Sequence, residues 1–128
     1  MNRKVGALWT KSYEKDGQTI PYYQGCIDLG LFGEQQVTLF HAEKRTERSP
    51  EYEMVTGRDE QKRNIGVFWK NTFQNDDGEE MVYLSGNIDA GVLGRRNVSI
   101  FLNTRKEKES QPDFNIVMRV DSEQDEAL

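Results

Sequence analysis

Cysteine, histidine and proline are nearly missing from this chain: Cys26, His41 and three prolines in 128 residues. A lone thiol closes no intramolecular disulfide, and one imidazole beside one thiol cannot build the usual zinc ligand sets. No Ser-His-Asp or Cys-His arrangement, glycine-rich phosphate loop or zinc spacing occurs, so no enzyme activity, cofactor or metal is expected. Long hydrophobic runs are missing too. Nothing approaches the roughly 20 apolar residues of a membrane helix. The opening MNRKVGALW carries positive charge with no apolar stretch behind it, which argues against a secretory signal. A cytoplasmic location is therefore expected. With 35% hydrophobic and 30% charged residues, the chain can form a small core under a heavily solvated surface. Its length suits one domain, or two very small units sharing a core.

A strongly basic balance is also lacking. The net charge is −5, and it is unevenly spread. Residues 121–128, DSEQDEAL, carry four acids and no base, whereas the other 120 residues hold 17 Lys or Arg against 18 Asp or Glu. The near-neutral body has no global electrostatic footprint of a nucleic-acid binder, although the local field is what a ligand meets.

What the chain does have is an internal repeat. VGALW at residues 5–9 recurs as IGVFW at 65–69, and YYQGCIDLGLFG at 22–33 recurs as YLSGNIDAGVLG at 83–94. VTLF at 37–40 answers VSIF at 98–101, and Pro50-Glu51-Tyr52 answers Pro112-Asp113-Phe114. The offset stays near 60, so residues 1–58 and 59–120 form two copies of one unit, followed by the tail at 121–128.

Each copy reads as four strands separated by turn residues. The first covers 4–11 or 64–71 and leads through Asp16-Gly17, or Asp76-Asp77-Gly78, into the second at 21–29 or 81–90. Gly30 and Gly33, like Gly91 and Gly94, supply a tight turn into the third at 35–42 or 96–103. The fourth covers 52–56 or 114–120, while 43–49 and 104–111 show no apolar stripe and read as loops. The expected fold is all-β: two tandem four-stranded antiparallel units forming a small barrel or sandwich, with an acidic C-terminal tail too charged to fold.

Alternation separates two faces. Tyr23, Gly25, Ile27, Leu29, Val37, Leu39 and His41 are the expected core of copy one, and Leu84, Gly86, Ile88, Ala90, Val98, Ile100 and Leu102 that of copy two. Trp9 and Trp69, repeated at one position, are expected in the core as well. The opposite face is polar apart from Tyr22 and Phe40 in one copy and Tyr83 and Phe101 in the other. Those rings are either packed between the copies or exposed as a platform on which unpaired bases stack.

Basic residues cluster at Lys44, Arg45 and Arg48, at Arg58, Lys62 and Arg63, at Arg95 and Arg96, and at Arg105, Lys106 and Lys108. Flanking an aromatic face, they would hold phosphates; away from it, they are solvated loops. Asp28 and Asp89 precede turn glycines and are expected to accept turn amides rather than to move protons.

The string [VI]-G-x-x-W, Y-x-x-G-x-I-D-x-G-x-x-G, V-[TS]-x-F, P-[DE]-[YF], present once in 5–55 and again in 65–117, resembles a bacterial domain-of-unknown-function family. In that family the unit reads like IGALW, SGKIDLG, VFPN, HPDY, and it is met on mobile elements. Cys26 and Asn87 before Ile-Asp depart from the pattern, as do His41-Ala42 and Leu102-Asn103 in place of Pro-Asn. The resemblance implies a phage or mobile-element setting and transfers no functional residue.

The leading expectation is a nucleic-acid-binding accessory protein for single strands. Tyr22, Phe40, Tyr83 and Phe101 would stack bases, and Lys44, Arg45, Arg95, Arg96, Arg105 and Lys106 would contact phosphates. Residues 121–128 would recruit a host or replication protein. The alternative is a protein-interaction module that binds and regulates or inhibits a host protein by strand pairing. Unpaired sheet edges would also allow a homodimer.

Overall fold

A computed structural model describes residues 2–30, 33–43, 45–57, 60 and 62–119. The acidic tail lies outside the described residues. The chain forms eight strands: β1 (Asn2–Lys15), β2 (Gln18–Asp28), β3 (Glu34–His41), β4 (Tyr52–Thr56), β5 (Arg63–Gln74), β6 (Glu80–Asp89), β7 (Arg95–Leu102) and β8 (Phe114–Arg119). Each pairs antiparallel with the next, and β8 pairs with β1, so the sheet closes into one barrel. The fold is all-β, and of the two expected architectures it is the barrel. A 3-10 turn covers Gly91–Leu93. Among the described residues no helix is long and apolar enough to cross a membrane.

The two halves repeat in register. Gly6 faces Ile27 as Gly66 faces Ile88, and Gly25 faces Val37 as Gly86 faces Val98. The seams match as well: Leu8 lies opposite Phe114, and Phe68 opposite Tyr52. Both seams carry a bulge, one between Lys4 and Gly6 and the other between Met54 and Val55 opposite Gly66 and Asn64. A half-turn about the barrel axis thus carries β1–β4 onto β5–β8, and the halves share one core.

Eight strands leave an interior that side chains can fill. Leu8, Leu39, Met54, Phe68, Ile88, Ile100 and Ile116 fill it, each below 2% exposure. Burying each such side chain contributes roughly 1.5–3 kcal/mol. The expected inward parity holds in mid-strand at Ile27, Val37, Ile88 and Val98 but not at the strand ends, where His41 is exposed and Leu102 is 49% exposed. There the strands run past the barrel rim.

The tryptophans do not join this core. Trp9 and Trp69 pair with Gln24 and Ser85 on the outer face, where loops cover them. Trp9 Nε1 donates to the Ser110 carbonyl at 2.9 Å, and Trp69 Nε1 donates to the Arg48 carbonyl at 2.9 Å. An indole needs one acceptor and a large apolar contact, and an outside loop supplies both.

β1 and β5 are longer than alternation suggests, ending at Lys15 and Gln74. Their ladders continue to the turn, with Lys15 opposite Gln18 and Gln74 opposite Glu80. The β1–β2 and β5–β6 hairpins therefore project beyond the barrel. Asp16 and Gly17, at φ 52° and 76°, make a two-residue turn of the primed kind. The second hairpin instead closes with Asn75 Oδ1 accepting the Asp77 and Glu79 amides.

Gly25 and Gly86 sit where the backbones of these hairpins touch. A Cβ on Gly25 would lie 1.9 Å from the Ala7 carbonyl oxygen, and one on Gly86 would lie 2.0 Å from that of Val67. Backbone cannot move aside there without opening the ladder. Gly86→Ala is therefore expected to cost at least about 3 kcal/mol, the upper range for overpacking. Urea unfolding that finds Gly86→Ala as stable as the parent would contradict this packing.

Candidate nucleic-acid interface

The aromatic rings lie on the outside of the barrel, not packed between its halves. Tyr22 and Phe40 are neighbours on β2 and β3, with ring centroids 5.7 Å apart and planes at 22°. Tyr83 and Phe101 occupy the equivalent places on β6 and β7, at 5.2 Å and 9°. Each pair has a third member that the sequence pattern does not single out. Tyr13 lies 5.9 Å from Tyr22, and Phe73 lies 5.7 Å from Tyr83 and 6.0 Å from Phe101. Tyr13 and Phe73 are 42% and 40% exposed, so each trio ends in an open ring at the base of a projecting hairpin. Both follow Trp at i+4 on the outward parity, and this recurrence was the available signal. It falls just past the strand ends that alternation suggests.

One trio spans β1–β3 and the other β5–β7, so their central strands, β2 and β6, lie four positions apart in either direction around the barrel. The four predicted rings therefore form two platforms on opposite flanks rather than one face. The first platform lines a shallow groove of about 410 Å³ with Gln24, Thr38 and Lys62. The Lys62 ammonium stands 5.2 Å from the centre of the Phe40 ring. Such a contact is worth about 0.5–1 kcal/mol at an exposed site and holds a cation beside the stack. Lys62 belongs to a basic cluster in the sequence, and its place just before β5 brings it to Phe40 across the sheet.

The predicted cations do not surround these platforms evenly. Arg95 Nη1 donates to Asn87 Oδ1 at 2.9 Å. It shares the outer parity of Phe101 but stands six residues away along β7, roughly 20 Å at strand rise. Arg96 takes the inward parity at the barrel end, opposite Ile88, and its guanidinium donates to the Arg95 carbonyl at 3.1 Å. Arg105 and Lys106 lie in the loop that covers Trp9. Arg45 is exposed in the loop that covers Trp69. Lys44 and Arg58 lie outside the described residues.

Lys106 is engaged structurally. Its ammonium donates to Asp113 Oδ1 at 2.5 Å, and Asp113 Oδ2 accepts the Thr10 amide at 2.8 Å. The Lys106 bond first, then the Thr10 amide, holds the Asp113 carboxyl below the usual carboxylate range. Asp28 and Asp89 accept the Gly30 and Gly91 amides at 2.7 and 3.0 Å and so serve the turns, as expected. Burial, then the neighbouring Glu34, pushes the Cys26 thiol up, which leaves it protonated and a poor nucleophile. No group of three or more His, Cys, Asp or Glu among the described residues could hold a metal ion.

Compared with known proteins, the chain matches no family model, no curated protein and no solved structure.

A depressed carboxyl favours the fold above its unfolded value, about 4, and this contribution fades as pH falls through the lower folded value. Asp113→Asn is therefore expected to lower the melting temperature at pH 7. The gap to the parent should narrow progressively below about pH 4. A gap that stays constant down to pH 2 would show that the carboxylate charge plays no part.

Proposed function

We propose that the protein binds single-stranded nucleic acid on the two outward aromatic platforms, one on each flank. The observation that carries this reading is the pairing of Tyr22 with Phe40, and of Tyr83 with Phe101, on the solvent side of a barrel whose interior is already filled. Partly exposed rings on a rigid sheet, set among Gln24, Thr38, Ser85 and Ser99, offer stacking without commitment to one base. Each stacked base contributes roughly 1–3 kcal/mol. Lys62 supplies a cation at the first platform, and Arg95 shares the outer side of the second. With few cations per platform, binding is expected to be weaker and less salt-dependent than that of a strongly basic binder.

Fluorescence anisotropy of labelled oligothymidylate tests the proposal. Short oligomers are expected to bind with two per chain, because one cannot reach both flanks. Tyr22→Ala with Phe40→Ala should remove one site and leave the other, with the melting temperature close to that of the parent. Lys62→Glu should weaken the first site and reduce its salt slope by about one charge. Duplex binding as tight as single-strand binding, or unchanged affinity in the Ala variants, would overturn the proposal.

A second reading, a protein-interaction module, draws on the projecting hairpins. β1 has no ladder partner from β8 beyond Leu8, its Thr10 amide being taken by Asp113, and β2 has none from β3 before Tyr23, so the outer parts of the hairpin edges are open to strand pairing. These projecting hairpins are therefore where a host protein or a second copy would add a strand.

A further inference from the structure

We propose that the barrel mouth beneath the second long hairpin is a binding site for a small amphipathic anion, with an aromatic or short acyl body and one acidic head. A cavity of about 390 Å³ opens there, within the range of small-molecule sites, and barrel mouths are a common place for them. Leu8, Leu39 and Ile100 of the core form its floor. One wall is an aromatic cluster. Tyr23 meets Phe114 edge to face at 5.2 Å and lies 6.3 Å from Tyr52.

The cavity exists because the two halves differ at the rim. Tyr23 of the first half corresponds to Leu84 of the second, both packed against the core at the same place in the repeat. The phenol closes its own side of the mouth, whereas the shorter leucine leaves the opposite side open. Val82 and Leu102, at 50% and 49% exposure, form an apolar lip above that opening. Pro21 and His41 take the equivalent places in the first half. Leaving such a lip in water is unfavourable and is relieved by an apolar guest.

Charge selects the head group. Lys70 follows Phe68 on the same parity, lies opposite Leu84, lines the cavity, and has no ion-pair partner among the described residues. Its counterpart in the first half is Thr10, so the ammonium is particular to the open side. Glu80 also lines the site but stands four residues out from Leu84, roughly 13 Å along the strand. An anion is therefore drawn to the barrel end of the opening and repelled from the hairpin tip. Burial, then Tyr23, pushes the Tyr52 hydroxyl up, which keeps it a neutral donor on the aromatic wall.

Two probes with one apolar body separate these contributions: anilinonaphthalene sulfonate, and phenylnaphthylamine, which lacks the charge. The sulfonate is expected to bind one per folded chain with blue-shifted emission, and decanoate should displace it. Lys70→Glu, an exposed position, should weaken the sulfonate about tenfold, as loss of a charge-assisted contact would, and leave the neutral probe unchanged. Leu84→Tyr, which places the ring of the first half in the second, should abolish both. Should that variant unfold, the stoichiometry and the Lys70→Glu contrast decide. No binding, several equivalent sites, or equal response of both probes to Lys70→Glu would overturn the proposal. Loss of oligothymidylate binding in the Tyr22→Ala with Phe40→Ala variant would leave it intact, because neither ring lines the cavity.

Discussion

The barrel closes on backbone contacts that leave no room for a Cβ. Gly6 and Gly25 meet diagonally across β1 and β2, as Gly66 and Gly86 do across β5 and β6. At each, an added Cβ would fall within 2.4 Å of a carbonyl oxygen on the facing strand. Sheets bend sharply only where side chains are absent or a bulge absorbs the strain, and this barrel uses both: glycine contacts within each half and bulges at the two seams. Everything outside the barrel follows from that. Two bends four strands apart set two long hairpins, two loop-covered tryptophans and two aromatic trios on opposite flanks.

Filling the interior with aliphatic side chains and Phe68 leaves most other aromatic rings at the rim or outside. A surface ring is ordinary by itself. Six of them gathered in two equivalent trios are a construction, and the repeat makes it twice. The halves are not interchangeable, however. The first trio has Lys62 above it, and the second half has the open mouth with Lys70 beside it. The departures from the repeat thus set one half apart from the other at these two places.

Much of this was legible in the sequence. Alternation in YYQGCID and VTLF separates inner from outer positions because a strand buried on one face enforces a period of two. Asp28 and Asp89 before glycine mark the turns that they cap. Four features were not legible. Trp9 and Trp69 look like core residues because size and recurrence do not reveal which side a loop will cover. The strands outrun their alternation, since the ends of a projecting hairpin are solvated on both faces, and this hid Tyr13 and Phe73. Closure is a long-range property of the β1–β8 ladder, and it divided one expected aromatic face into two. Proximity of charge was equally hidden. Lys106 is held by Asp113, and Lys62 meets the Phe40 ring from a distant point in the chain.

The most direct test of the central claim is a nuclear magnetic resonance titration of the aromatic and amide signals with a short oligothymidylate. The account predicts shifts at Tyr13, Tyr22, Phe40 and Lys62, and at Phe73, Tyr83 and Phe101, with the core signals of Phe68 and Ile116 still. Shifts confined to the hairpin edges or the loops over Trp9 and Trp69, or none at saturating oligonucleotide, would contradict it.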